Sequence, residues 1–544
     1  MPCPKARDQK RVAAGVSGGG RFAIDPRPEA ELELTGAAAD AAGGPVHCSN
    51  CGQFRARATA HRCLAPKLVP LSSAAQLVLE ACRAAGGRPI VVGGSVRDAL
   101  LAAHSGRVVH PKDIDIEVYG ANVGRLVLAL DRVGTVNEVG VSFGVLTVRC
   151  GEEDFDVSLP RVDSKVGSGH RGFDVRVDHG LDEVDAFGRR DFTVNAMAWD
   201  PTTGELVDPY AGLADLEAAV LRHTTDAFDE DPLRVLRAVQ FAGRFGFEIA
   251  PETTERCRAL APAFAELPSD RVWGEWSKIA TKARWPSKSM QALHDTGWER
   301  HFPELVAVRD VPQDPTWHPE GPVHVHLGLA ADAAAAAADS HGLDAEQRTI
   351  AVLGAMLHDL GKATTTLPAD PSLAPTLGTR ITSRGHAEAG EEPVRSFLKR
   401  VGAPERYAAM IVPIVREHMC VAGNAKPSAP AVRRLARRLA GPGGHGPTLT
   451  QWAAVVAADH AGRGSASHAS PADAWLALAT DLNEVDKPRP GLLTGAHLIA
   501  AGMRPGPEFK PVLAAALEAQ DNGEFDDEQG AAAWFREHHR PTTS

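Results

Sequence analysis

Two carboxylates set two residues apart raise the first question of chemistry. In Lys112-Asp113-Ile114-Asp115-Ile116 the side chains of a strand alternate, so Asp113 and Asp115 share one face while Ile114 and Ile116 turn to the core. Like charges on one strand face call for a cation between them. Divalent metal is the obvious compensation, and two such ions clamp the attacking and leaving oxygens of a nucleotidyl transfer. Asp156, in Phe155-Asp156-Val157, has the parity on a later strand to add a third carboxylate. The plainer reading is a solvated acidic strand. It loses ground because Val92-Gly93-Gly94-Ser95-Val96-Arg97-Asp98 comes just before: a strand ends in two glycines and a helix begins, with Ser95 placed to cap it. Backbone N–H groups at such a turn cradle a phosphate, and Arg97 adds charge one turn in.

Arg189-Arg190-Asp191-Phe192-Thr193-Val194-Asn195 offers Arg190 to a triphosphate, and Asp191 and Asn195 to a ribose. Farther on, Glu230-Asp231-Pro232-Leu233-Arg234-Val235-Leu236-Arg237 opens a helix. Pro232 suits the first turn, Asp231 the cap, and Arg234 and Arg237 stand on one face. A capped helix with a solvated Arg pair would explain that much. The chemistry allows more. Cytosine and adenine each present an amino donor beside a ring-nitrogen acceptor, which an Asp and an Arg complement. Uracil and guanine present the opposite order and leave both protein groups unpaired, at roughly 1–3 kcal/mol each. An Asp231/Arg234 pair therefore selects C and A without a template.

A different set lies beyond residue 310: His326 in VHVHLGL, His358-Asp359 in MLHDLGK, His386 in SRGHAEAG, His418 in REHM and Asp459 in AADHAGR. Each falls in or beside a helical pattern, so all six are able to converge inside a bundle and hold a first-row divalent metal through imidazole and carboxylate. His324 is the alternative to His326, and the long gap before Asp459 weakens its place. Near the N-terminus, Cys48, Cys51, His61 and Cys63 have the spacing of a small zinc knuckle, against the reading of reduced cysteines in a loose segment.

These groups need elements to hold them. Residues 1–66 are rich in Gly, Ala and Pro and read as an extension, mostly disordered apart from the Cys/His cluster. Residues 67–205 alternate helix and strand patterns and form an α/β head, a β-sheet with helices. From about 205 the pattern is almost wholly helical, cut by Gly/Pro-rich breaks such as PQDPTWHPEGP and AGPGGHGP. This divides it into a neck (206–310) carrying the base-reading helix, a metal-binding domain (311–465) and a helical tail (466–544). The chain has 544 residues, 44% of them hydrophobic and 23% charged, and a net charge of −11. RNA binding must then rest on local basic patches. Candidates are Lys278, Lys282, Arg284 and Lys288, and Arg433, Arg434, Arg437 and Arg438, whose helix buries Val432, Leu435 and Leu439 and turns the arginines out. Eight scattered cysteines fit a reducing compartment. No apolar run approaches the roughly 18 residues of a membrane span, and residues 1–21 lack the apolar core of a secretory signal. A cytoplasmic protein without membrane contact is expected.

Residues 88–310, through GGSVRD, DID, RRDFTVNAMA, DPYAGLADL, EDPLRVLRAVQFAGRFGF and LPSDRVWGEWSKI, resemble the class II tRNA nucleotidyltransferase and bacterial poly(A) polymerase family. The resemblance implies a nucleotidyltransferase that completes the CCA end of tRNA from CTP and ATP. It assigns Asp113 and Asp115 to Mg2+, and Gly94, Arg97, Arg190, Arg234 and Arg237 to the incoming nucleotide, to which the turn itself adds Gly93. Residues 164–173 resemble the mobile loop of the CCA-adding members. Residues 140–145 lack the doubled basic residues expected of poly(A) polymerases, which favours CCA addition over poly(A) or partial (CC or A) addition. The order H…HD…H…H…D resembles the HD phosphohydrolases, whose metal activates water against phosphate esters. In CCA-adding proteins that domain implies hydrolysis of 2′,3′-cyclic phosphates or nucleotides. A reading of another class makes the HD phosphohydrolase the main activity, with the head as an RNA-binding module; the intact Asp113, Asp115, Asp231 and Arg234 speak against it.

Overall fold

The computed structural model describes residues 68–104, 114–137, 145–160, 181–367, 381–421, 426–464 and 470–539, and the backbone alone of strands 46–47, 54–55, 161–165 and 173–177. Asp113, Cys48, Cys51, His61, Cys63 and residues 166–172 lie outside the described residues. The chain divides into two units, Met1–Ala65 and Pro66–Ser544. In the first, Val46–His47 pairs antiparallel with Phe54–Arg55.

The second unit begins with a seven-stranded mixed sheet. Its order is Leu206–Val207, Ala198–Trp199, Arg88–Val92, Ile114–Tyr119, Glu153–Ser158, Val145–Cys150 and Thr135–Asn137. Only Ile114–Tyr119 and Glu153–Ser158 run parallel among the described strands of this sheet. The apolar stripe of helix Ser73–Ala84 (Val78, Leu79, Cys82) and that of helix Val123–Leu130 (Leu126, Leu130) are buried. Ile90, Val92 and Ala198 pack with Phe187 of the short helix Glu183–Gly188 in another part of the core. Gly93 ends strand Arg88–Val92 at φ +71°, a left-handed conformation that costs glycine little. Helix Gly94–His104 starts directly after it. Ser95 is consequently inside the helix rather than its cap, and its hydroxyl donates back to the Val92 carbonyl at 3.3 Å.

Beyond residue 205 helices dominate, as the pattern predicts; after Leu206–Val207 come two short strands, Val220–Leu221 and Glu248–Ile249, paired in parallel. Helix Leu233–Phe245 packs on Ser269–Lys282 and Pro286–Asp295. The Ala-rich segment is one helix, Val323–His341, whose small side chains let Leu449–Gly462 come close. A Cβ on Gly462 would lie 2.8 Å from the Ala330 nitrogen. Capping boxes start Leu449–Gly462 itself, at Thr448/Gln451, and Ala345–Leu357, which packs on both helices, at Asp344/Gln347. Trp276, Phe302 and Phe397 meet edge-on or tilted at 5.0–6.0 Å, joining the helices near 300 to Glu391–Arg400. Leu493, Leu498, Val512, Phe525 and Phe535 build a small core of their own at the C-terminal end. Among the described residues no helix is long and apolar enough to cross a membrane.

Candidate active sites

The sheet register assembles the head. Val92 stands opposite Asp115, and Asp115 opposite Asp156 on the parallel neighbour. Ile114, Ile116, Phe155 and Val157 are buried while Asp115 and Asp156 are exposed, so the two carboxylates lie side by side on one surface. Thr147 donates its hydroxyl to Asp156 Oδ1 at 2.9 Å. Gly93 closes the site's edge: a Cβ there would sit 2.9 Å from Arg190 Nη1 and 3.9 Å from Asp115 Oδ2. Arg190 is held over the turn by Glu117, a wholly buried carboxylate 3.1 Å from its Nη2, which also accepts the Tyr119 hydroxyl at 2.6 Å. Gly93's own N–H is committed to the Met197 carbonyl at 3.0 Å.

Asp191 and Asn195, expected at the ribose, are engaged with protein groups in this structure. Both are buried. Asp191 accepts Arg237 Nη2 at 2.6 Å, Asn195 Nδ2 at 2.9 Å and the Phe192 N–H at 2.8 Å. Burial alone would raise its pKa, but Arg237 and these donors hold it below the ordinary carboxylate range. Asn195 Oδ1 accepts from Arg97, which is itself buried against Phe241 and Phe245 at 5.3 and 4.6 Å and paired with Asp98 at 2.7 Å. The four residues therefore form one buried network tying the Gly93 turn to helix Leu233–Phe245.

Asp231 caps that helix as expected, accepting the Leu233 N–H at 3.2 Å. Its carboxylate is gripped by Arg271, at 2.8 and 3.3 Å, a residue present in LPSDRVWGEW but not singled out by its spacing. Arg234 does not bond Asp231; it donates to the carbonyls of Ala227, at 2.8 Å, and Arg189. Arg237 is spent on Asp191.

The second site brings all six expected donors together. His326 Nε2 is 3.1 Å from Asp459 Oδ1 and 3.3 Å from His358 Nε2. Asp359 Oδ2 is 3.3 Å from His358 Nε2, and its Oδ1 is 3.2 Å from His386 Nε2 and 3.7 Å from His418 Nε2. Asp359 therefore turns one oxygen to each pair of imidazoles. Its Oδ1 is buried without a hydrogen-bond donor, as befits an atom meant for a cation. The Nδ1–H groups of His358, His386 and His418 donate to the carbonyls of Ala355, Ser383 and Val415 at 2.8, 2.6 and 2.6 Å. That fixes the tautomer and leaves each Nε2 lone pair pointing inward. His324 bonds the Arg309 carbonyl instead and takes no part.

Lys362 reaches Asp359 Oδ2 at 2.6 Å and Gln313 Oε1 at 2.7 Å, and Arg463 holds Asp459 with both contacts at 2.9 Å. Burial would raise both aspartates, but Lys362 beside Asp359 and Arg463 beside Asp459 hold them well below the ordinary range. Asp359, His386, His418 and Asp459 line a cavity of about 720 Å³, with Trp317, 57% exposed, among its walls.

The arginines of helix Ala429–Ala440 do not all turn outward. Arg433 bonds Glu484 and the Asp521 carbonyl at 3.2 and 2.9 Å, Arg437 grips Asp521 at 3.0 Å, and Arg438 takes Glu417 at 2.9 Å. Arg433 and Arg437 dock the C-terminal helices, while Arg434 and Arg438 stay exposed. Of the other candidate patch, Lys278 pairs with Glu275 at 2.7 Å and Lys288 with Glu248 at 3.2 Å.

Comparison with known proteins matches residues 90–222 to the "Poly A polymerase head domain", 246–308 to the "Probable RNA and SrmB-binding site of polymerase A" and 323–441 to the "HD domain". The molecule is thus a nucleotidyltransferase head joined through a helical neck to an HD domain. A multifunctional CCA protein of Xanthomonas campestris is 39% identical over 339 residues, which is 61% of this chain and 75% of the relative. That of Xylella fastidiosa is 38% identical over 342 residues, 61% and 74%. The chain belongs to the multifunctional CCA protein family. Its fold is similar to that of Bacillus stearothermophilus CCA-adding enzyme, solved in complex with CTP (TM-score 0.55, 20% identity, 86% of this chain and 98% of that one). A CCA-adding enzyme in an apo form is comparable, at a TM-score of 0.53 with 20% identity, covering 86% of this chain and 94% of that one.

Proposed function

We propose that the protein adds or restores the 3′-terminal CCA of tRNA from CTP and ATP without a template, and that its HD domain is a metal-dependent phosphohydrolase acting on 2′,3′-cyclic phosphates or nucleotides. The observation that carries the first part is the register that sets Asp115 beside Asp156 at the foot of the Gly93 turn, with Arg190 held above it. Exposed paired carboxylates suit Mg2+, a hard cation that prefers oxygen. Asp115 and Asp156, with Asp113, would hold it; when bound it offsets the charge of the triphosphate and of the attacking hydroxyl.

The chain's own residues then bind and orient. Arg190 and the start of helix Gly94–His104 receive phosphate oxygens. Arg97, Asp191, Asn195 and Arg237 brace that turn against the base-reading helix. Asp231 offers its acceptor to the amino group of C or A, and Arg234 a donor to the ring nitrogen. The hydrogen bonds already present leave capacity for this. A guanidinium has five N–H donors and Arg234 commits two of them; a carboxylate has about four acceptor sites and Asp231 uses three.

In the HD domain, His326, His358, Asp359, His386, His418 and Asp459 would hold a divalent transition metal, which activates water when bound. The orphaned Asp359 Oδ1 and the inward Nε2 atoms support that fit. Lys362 and Arg463 offset the site's negative charge. The N-terminal Cys48, Cys51, His61 and Cys63 are proposed as a zinc knuckle on spacing alone.

Poly(A) addition is the rival, and residues 140–145, without doubled basic residues, disfavour it. The test is Asp115→Ala. Nucleotide addition is expected to vanish while the melting temperature and the phosphohydrolase activity persist. Normal addition by a folded variant would remove Asp115 from the reaction.

A further inference from the structure

Three of the four HD-site histidines are oriented by a main-chain carbonyl three residues earlier; His326 is different. It belongs to helix Val323–His341; its buried Nδ1 has no aligned hydrogen-bond acceptor, and Glu320 Oε1 lies 2.7 Å from it as a close ionic contact. The same oxygen accepts from His318 Nδ1 at 2.9 Å. The side chain of Glu320 is 5% exposed and that of His326 is 0% exposed, so water does not compete for the contact. His318 and His326 meet edge to face at 4.8 Å, closing the pair around the carboxylate. The peptide around them is tied to the metal site a second time. Gln313 donates to the Gly321 carbonyl at 3.0 Å and accepts from Lys362, which grips Asp359.

On this geometry we propose that Glu320 is the positioning residue of the HD site: its carboxylate, steadied by His318, fixes the Nδ1–H tautomer and ring angle of His326 so that Nε2 faces the metal. The inference rests on the metal-binding reading of the HD domain. A main-chain carbonyl cannot be lost by substitution, whereas a carboxylate on a Pro/Gly-rich connection can. His326 is therefore the one of the four histidines whose ligand geometry depends on a side chain. Glu320 meets Nδ1, the ring nitrogen opposite the Nε2 that faces Asp459 and His358.

The experiment measures metal content and metal affinity, by competition with a chromogenic chelator using Mn2+, Co2+, Ni2+ and Zn2+ in turn, on the full chain. Parent, Glu320→Ala, Glu320→Gln and His318→Ala are compared, with melting temperature and nucleotide addition as folding controls. Removing an outer-shell partner of a ligating histidine typically weakens metal binding about 10–100-fold. That loss is expected for Glu320→Ala. Glu320→Gln keeps an acceptor oxygen and should recover most of the affinity, and His318→Ala should fall between. If Glu320→Ala does not fold, Glu320→Ser, too short to reach the ring, takes its place. Affinity within about twofold of the parent in a folded Ala or Ser variant would overturn the proposal. So would equal loss in the Gln and Ala variants, because the carboxylate would then act by charge rather than by orienting the ring. A parent that binds none of the four metals would instead defeat the metal-site reading itself.

Discussion

At the residue scale the account turns on one proposed base-reading pair, Asp231 and Arg234, whose members bond other partners. Asp231 is gripped by Arg271, and Arg234 by two carbonyls, so neither leans on the other. Arg234→Ala removes the donor to the ring nitrogen, a hydrogen bond to a charged group worth roughly 1.5–3 kcal/mol. Incorporation of both C and A should slow by about one to two decades, and discrimination against UTP and GTP should fall with it. Single-nucleotide addition with all four triphosphates on one truncated tRNA reads both effects. Full selectivity in the variant would mean that this helix does not read the base. The sequence made Asp231 and Arg234 visible because a cap, a proline and a spaced arginine recur in a recognisable order. Arg271 and Glu117 were not visible in that way. Each is defined by a partner far along the chain, 40 residues away for Arg271 and 73 for Glu117, and nothing in local spacing reveals such a partner.

At the scale of elements, helix contacts decide which charges are solvated. Arg437 looked outward by its helical phase, yet Asp521, 84 residues on, folds back onto it. Helical periodicity gives the buried stripe; it cannot tell solvent from another helix on the opposite side. A similar inter-helix contact gives a pH signature. Asp332, on helix Val323–His341, caps helix Pro286–Asp295 by accepting the Ser287 N–H and hydroxyl at 2.8 and 2.6 Å. Burial outweighs those donors and raises its pKa from 3.8 to about 6. The folded state then keeps its proton longer than the unfolded chain does. This group's contribution to stability is therefore most favourable below pH 3.8 and is lost as pH rises to about 6. Asp332→Asn should remove that loss: the melting temperature of the variant relative to the parent should rise between those pH values and then level off. A difference that stays flat across the window would refute the assignment.

At the scale of the whole molecule, two separate donor sets sit in one chain: oxygens alone in the head, imidazoles and carboxylates in the HD domain. Asp359→Ala should empty the HD site and abolish phosphohydrolase activity while nucleotide addition continues; metal analysis and the two assays on one preparation decide it. Loss of both activities in a folded variant would show that the sites depend on each other. A point substitution suits this test better than deletion, since Trp276 and Phe302 bury themselves on Phe397 of the HD region. The overall order of sheet, neck and HD bundle was readable because each stretch has its own periodicity and motif. The six side chains that converge in the HD domain could be named singly, Asp459 included, although it lies past the matched 323–441. Gln313, His318 and Glu320 could not, for they lie in a Pro/Gly-rich break that has no period to reveal them.

The central claim is template-free completion of CCA, and one measurement tests it most directly. The protein is incubated with tRNAs lacking one, two or three 3′-terminal nucleotides, each with CTP, ATP or both, and the products are sequenced. The account predicts A alone on the first, CA on the second and CCA on the third, with both triphosphates present and growth stopping there. Tails of repeated A, or no extension of any of the three, would contradict it.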